Sequence, residues 1–163
     1  MPTMEDVAKQ THEQKFARMA RTADDLTAAI KGQSAAALSK RPDAKNWAAV
    51  ECICHLRDAE EGFMQRFEII MAMDEPKLGG GNQGRLAEDR QYLRNDASEA
   101  ITAFRRRRDE TLAFLKGLSP EQWKRAGIHP VRGRFSIDDF LTLITWHDDN
   151  HLDQLERALE GKA

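Results

Sequence analysis

Residues that break regular backbone structure are scarce in this chain and bunched where they occur. Among 163 residues there are five prolines and ten glycines, and four of the glycines fall between Gly79 and Gly84. Through the long stretches between them, apolar residues recur at three- and four-residue steps, the period of a helix with one buried face. No credible set of strands with alternating apolar and polar residues is present. The sequence therefore predicts an all-α protein, one domain over residues 1–163, with an apolar fraction of 40% that is enough for one core.

Four long helices are expected. The first runs from Glu5 to Ile30, with Phe16, Met19, Ala20, Ala23, Leu26 and Ile30 on its stripe and Gly32 as a stop. The second runs from Trp47 to Met73, with Asn46 as candidate N-cap and Ile53, Leu56, Phe63, Phe67 and Ile70 inward; Asp74-Glu75-Pro76 ends it. The third runs from Ala97 to Leu118, capped by Asp96 or Ser98, with Ile101, Phe104, Leu112 and Leu115 inward. Ser119-Pro120-Glu121-Gln122 opens a short turn through Trp123. Residues 127–134 read as a loop. The last helix opens at Ser136-Ile137-Asp138-Asp139 and closes at Gly161. Helices of this length around one core make a four-helix bundle. The second and third are about 20 residues apart, long enough to cross the bundle, so an up-down-up-down order is not implied.

Charge and cysteine usage narrow the function classes. The net charge of −2 gives no ground for a nucleic-acid or membrane partner. Arg105 to Arg108 run straight into Asp109 and Glu110, which reads as a solvated, locally neutralised face. Cys52 and Cys54 point to different faces of a helix and are poorly placed to bridge. No leader opens the sequence and no apolar run approaches 18 residues, so a cytoplasmic protein is expected.

The histidines carry the chemistry. His147 and His151 stand four residues apart in the last helix, inside the inward row Phe140, Ile144, His147, His151, Leu155. That spacing stacks two imidazoles on one face, where both reach a single metal ion. Buried without partners they would cost roughly 1–3 kcal/mol each, so they need partners. His55, on the second helix, is flanked on its face by Cys52, Ala59 and Gly62, small residues that leave space around it. Asp58 is a candidate base or ligand-orienting group, and equally a salt-bridge partner of Arg57. Arg66, eleven residues after His55 on the same face, is a candidate anion holder, or an ion pair across the bundle. Arg108 interrupts the apolar row between Phe104 and Leu112 and is a candidate for the cavity. Cys52 is a possible softer ligand, or a small core residue. Trp47, Trp123 and Trp146 read as core anchors.

Trp47, His55-Leu56-x-Asp58-Ala59-Glu60, Arg66, Arg108-x-x-Thr111-Leu112, His129-Pro130-x-x-Gly133 and Trp146-His147-Asp148-x-x-His151-Leu152-x-Gln154 follow one another in an order that resembles the DinB/YfiT-like superfamily. The resemblance covers nearly all of the chain after residue 40. It implies an up-down-down-up four-helix bundle and a divalent metal on His55, His147 and His151; three neutral nitrogens suit zinc or nickel. Family members of this kind imply a small-molecule substrate, handled by a metal-dependent hydrolase or a thiol-dependent S-transferase; for either, the residues themselves offer Asp58, Arg66 and Arg108 as candidate catalytic groups. The alternative is a non-catalytic metal-binding stress-response or interaction module. A homodimer is expected as well, because Met4, Val7 and Thr11 form an apolar row that no other segment obviously covers.

Overall fold

The computed structural model describes residues 1–163 and holds four long helices, α2 (His12–Ile30), α4 (Ala49–Ala72), α6 (Ala97–Lys116) and α8 (Ile137–Leu159). Shorter elements connect them: α1 (Met4–Ala8), α3 (Ala35–Leu38), α5 (Gln83–Asp89), a 3₁₀ turn (Tyr92–Arg94), α7 (Pro120–Trp123), β1 (Ala126–His129) and β2 (Gly133–Ser136).

Contacts between the long helices give their directions. His12, Lys15 and Thr22 of α2 meet Asp138, Thr142 and Asp148 of α8 in rising order, so these two helices are parallel. Asp58, Glu60 and Phe67 of α4 meet Arg107, Arg108 and Phe114 of α6 in rising order, so they too are parallel. Between α4 and α8 the order is reversed, His55 lying on His151 while Phe67 lies on Phe140. The bundle is therefore up-down-down-up.

Parallel α4 and α6 require the chain between them to travel back along the bundle. It runs against α4 in reverse, with Gly79 held by Arg66, Tyr92 by Asp58 and Asn95 by Arg57. The glycine-rich stretch is thus loop only at its start; Asn82 accepts from the Arg85 amide and opens α5.

Three expectations are corrected. The first helix is broken, because Thr11 caps a fresh start by accepting from the Gln14 amide while Gln14 accepts from its own. The break lets α1 fold onto α8, so Val7 is fully buried and Met4 packs on the core. Of the row Met4, Val7 and Thr11, the chain itself thus covers Val7 and part of Met4, while Thr11 stays exposed. Asn46 does not cap α4; Ala48 holds that position and Glu51 accepts its amide.

Residues 127–134, expected as loop, form most of an antiparallel hairpin with Ala126 opposite Ser136 and His129 opposite Gly133. Its four-residue strands are too short to show a period of two. What holds the hairpin is non-local: Leu78 and Ile128 exchange backbone bonds with Ile128 and Pro76, and Arg125 donates to the terminal carbonyls Ile70 and Met73 of α4. A side chain at Gly127 would meet Leu78 at 2.8 Å, so glycine is needed for this close approach.

The core is divided. One apolar cluster centres on Leu26, Ile53, Leu56, Phe104 and Leu155, the other on Phe67, Leu115, Ile137, Phe140 and Ile144. Between them lies a buried polar layer made of Thr22, Glu60, Arg108 and Asp148, one residue from each long helix.

Candidate metal centre

Three imidazoles meet where α4 faces α8. His55 is buried, His147 and His151 partly so, and one nitrogen from each lies within 4.8 Å of the others. The antiparallel crossing makes this possible: His147 and His151 present two nitrogens one turn apart, and α4 brings His55 against both. Ring centroids stand 5.0 Å apart for His55 and His147, 4.4 Å for His55 and His151, and 4.3 Å for His147 and His151.

Proton positions follow from the partners. Nδ1 of His151 lies 2.8 Å from Oε1 of Gln154, an acceptor, so Nδ1 carries the hydrogen and Nε2 is left with a lone pair. Nε2 of His55 faces Nε2 of His147 at 2.9 Å, while Nδ1 of His55 is buried without a partner. Burial pushes the pKa of all three below the usual histidine range, with their neighbouring imidazoles adding to the effect on His55 and His147; His55 falls to about 3. Neutral imidazoles are the form that binds metal.

The walls are aromatic. Trp47 lies 5.1 Å from His55 and 6.3 Å from His151, and Phe63 meets His147 edge-on at 5.8 Å. Trp47, read from sequence as a core anchor, thus belongs to the centre, as does Gln154, whose spacing of three from His151 was the available signal. A side chain at Gly62, two turns along α4 from His55, would meet nothing within 4 Å, so space does open on that face.

The other candidates lie elsewhere. The Asp58 carboxylate is taken up by Arg57, Arg90, Arg107 and the Tyr92 hydroxyl, which hold its pKa down to about 2 against burial. It pins the returning connection to α4 and has no lone pair to spare as a base. Arg108 is not in a cavity. Its guanidinium binds both oxygens of Asp148, Oε2 of Glu60 and the Met19 carbonyl inside the bundle. The arginine run is neutralised across helices, Arg105 by Asp24 and Arg107 by Glu61, rather than by Asp109 and Glu110. Arg66 is half-buried and donates to the Gly79 carbonyl. Cys52 and Cys54 are unpaired, and burial pushes their thiols up to about 12 and about 11.

Acid sensitivity follows from the suppressed histidine pKa values. The unfolded chain takes up protons at these sites near the ordinary value of 6.5, while folded His55 resists down to about 3. Stability of the metal-free protein is therefore full above that ordinary value and falls as the pH drops below it, by up to about 1.4 kcal/mol per pH unit for each such histidine. Thermal unfolding followed from neutral pH into mild acid should show the melting temperature falling; a flat profile through that range would contradict the placement of these rings.

Comparison with known proteins agrees with this architecture. The family model of the DinB superfamily matches residues 18–155, a span that holds Trp47 and all three histidines. Among curated proteins, YfiT of Bacillus subtilis (strain 168) is 22% identical over 107 residues, 65% of this chain and 60% of that protein, so the match spans less than two thirds of the relative. Among solved structures, YfiT from Bacillus subtilis, described as a probable metal-dependent hydrolase with an unusual four-helix bundle topology, superposes with a TM-score of 0.85. It is 18% identical, with 95% of this chain and 90% of that one covered, and this likeness establishes the fold. No helix of the chain is long and apolar enough to cross a membrane.

Proposed function

The chain belongs to the DinB superfamily, and on that footing we propose that it is a metal-dependent hydrolase of a small-molecule substrate, with a divalent cation held by His55, His147 and His151. The observation that carries this reading is the convergence of three neutral imidazole nitrogens within 4.8 Å from two antiparallel helices. The buried Nδ1 of His55 without a partner is poor packing in itself, and the 2.9 Å approach of its Nε2 to that of His147 brings two candidate ligand atoms together. Three nitrogens without a carboxylate suit zinc or nickel. When bound, such a cation supplies Lewis acidity, lowering the pKa of a water or thiol that reaches it.

The chain's own residues supply the rest. Gln154 fixes the His151 tautomer with its lone pair on Nε2, the outer-shell support that metal-bound histidines use. Trp47 and Phe63 wall the imidazoles with apolar surface. The description of YfiT as a probable metal-dependent hydrolase supports hydrolysis over other uses of the site.

The experiment is a substrate screen of protein loaded with zinc or nickel against esters, amides and thiol-conjugation electrophiles, with metal-free protein as control. Saturable, metal-dependent hydrolysis of an ester or amide is expected. Thiol conjugation alone would replace hydrolysis with S-transfer. Full metal occupancy without turnover of any class would favour a non-catalytic, bundle-stiffening metal.

A further inference from the structure

Beyond the histidine centre, three basic side chains gather over two phenylalanines with no acid among them. Arg66 of α4 lies 6.0 Å from the centre of the Phe140 ring, and Phe140 meets Phe135 edge-on at 4.8 Å. Over Phe135 stand Arg132, at 5.7 Å, and the His129 ring, at 5.8 Å. None of the three is ion-paired with a carboxylate. The only hydrogen bond of the Arg66 guanidinium runs to the Gly79 carbonyl, which leaves most of its donors unused. Burial alone lowers its pKa, no carboxylate offsetting that effect, and the charges of Arg66 and Arg132 add to burial in lowering that of His129.

The His129 tautomer is fixed by its turn. Its Nδ1 accepts from the amides of Val131 and Arg132, each at 3.1 Å, so the hydrogen sits on Nε2. The ring thus offers a donor from its far edge, beside two guanidinium groups. Arg66 is a half-buried cation without a counter-ion, which is costly unless something anionic joins it, and Arg132 adds an exposed, unpaired charge.

This cluster connects to the histidines by touching rings. Phe140 meets Phe63 at 6.3 Å, and Phe63 meets His147 at 5.8 Å. Gly62, with open space beside it, stands between His55 and Arg66 on α4.

We infer that Arg66, Arg132 and the Nε2–H of His129 form an oxyanion subsite, so that the small molecule handled at the histidine centre carries a carboxylate or phosphate at one end. The inference rests on the reading of that centre as a substrate site, but its test does not use the metal. Metal-free protein is titrated with succinate and, separately, with inorganic phosphate, following binding by calorimetry and by the NMR shift of the His129 Nε2–H. Saturation in the millimolar range or tighter by at least one is expected, and which of the two binds more tightly assigns the carboxylate or phosphate source.

Arg66→Gln should weaken binding about tenfold or more, the loss expected when a charge-assisted hydrogen bond is removed. Arg66→Lys keeps the charge and should stay within a few-fold of wild type, which separates lost charge from a disturbed Gly79 contact. His129→Asn keeps an acceptor for the Val131 and Arg132 amides but removes the distal donor, and should weaken binding as well. Failure of wild-type protein to bind either anion, or binding by Arg66→Gln within about twofold of wild type, overturns the subsite. Failure to bind zinc or nickel in a parallel titration would instead count against the histidine centre.

Discussion

Replacing His147 with alanine should strip the protein of bound zinc or nickel. His147 contacts both other ligands, its Nε2 2.9 Å from that of His55 and its ring 4.3 Å from that of His151. Without it, two imidazoles remain, one on each helix, and no longer form a three-nitrogen face. Apparent affinity should drop about 100-fold or more, since roughly 10–16 kcal/mol of binding energy in zinc sites is shared among three or four ligands. Equilibrium dialysis with elemental analysis reads this directly: wild type should hold close to one ion per chain and the variant a small fraction. His55→Ala and His151→Ala should fall with it. His12→Ala is the internal control, because that histidine pairs with Asp138 and packs on Trp123. Full stoichiometry in His147→Ala would remove the centre from consideration, whatever the protein does with substrates. Loss in His12→Ala as well would point to nonspecific uptake.

The histidine centre was legible in sequence because helical periodicity does two jobs at once. The row from Phe140 to Leu155 identifies the inward face of α8 and shows two imidazoles interrupting it. The small residues Cys52, Ala59 and Gly62 mark the opposite wall. Legibility ended where position depends on partners distant in sequence. The hairpin has four-residue strands that a period of two cannot betray, and its anchor is a backbone exchange with Pro76 and Leu78 some 50 residues earlier. Arg108 reads as a candidate catalytic group because a buried charge in an apolar row signals either function or a partner. Sequence cannot distinguish the two when the partner is on another helix. The break at Thr11 is hidden from sequence for a different reason. Its capping box was present, but the residues on either side keep good helix propensity, so the break shows only in the tertiary packing of α1 on α8.

Arg108→Met should produce the largest loss of stability of any single substitution in the polar layer. Methionine matches the volume of the arginine stem, so the packing loss is modest and the electrostatic one dominates. Arg108 is 3% exposed and satisfies Asp148 through two nitrogens and Glu60 through a third, while Thr22 adds a hydroxyl to Asp148. Removing the cation leaves two carboxyl groups in the core, a situation that costs about 3–5 kcal/mol when a buried pair is broken. For a chain of this length that is a drop in melting temperature of roughly 6–20 °C.

The deficit should depend on pH in a way a cavity would not. Burial already raises the Glu60 pKa against the pull of Arg108, and without Arg108 the chief opposition to it is gone. A carboxyl whose folded pKa lies above its unfolded value favours folding while protonated and loses that advantage as the pH rises through the folded pKa. The gap between variant and wild type should therefore be widest at neutral pH and narrow in acid. A gap constant from pH about 4 to about 8 would mean the carboxylates never relied on Arg108. The position of this layer gives the measurement its wider meaning. Asp148 directly follows His147, and Glu60 lies five residues after His55, so the ion network fixes α8 against α4 at nearly the height where the imidazoles meet. A polar layer tolerated between two apolar clusters sets the register of the bundle, and with it whether three histidines from two helices can serve one cation at all.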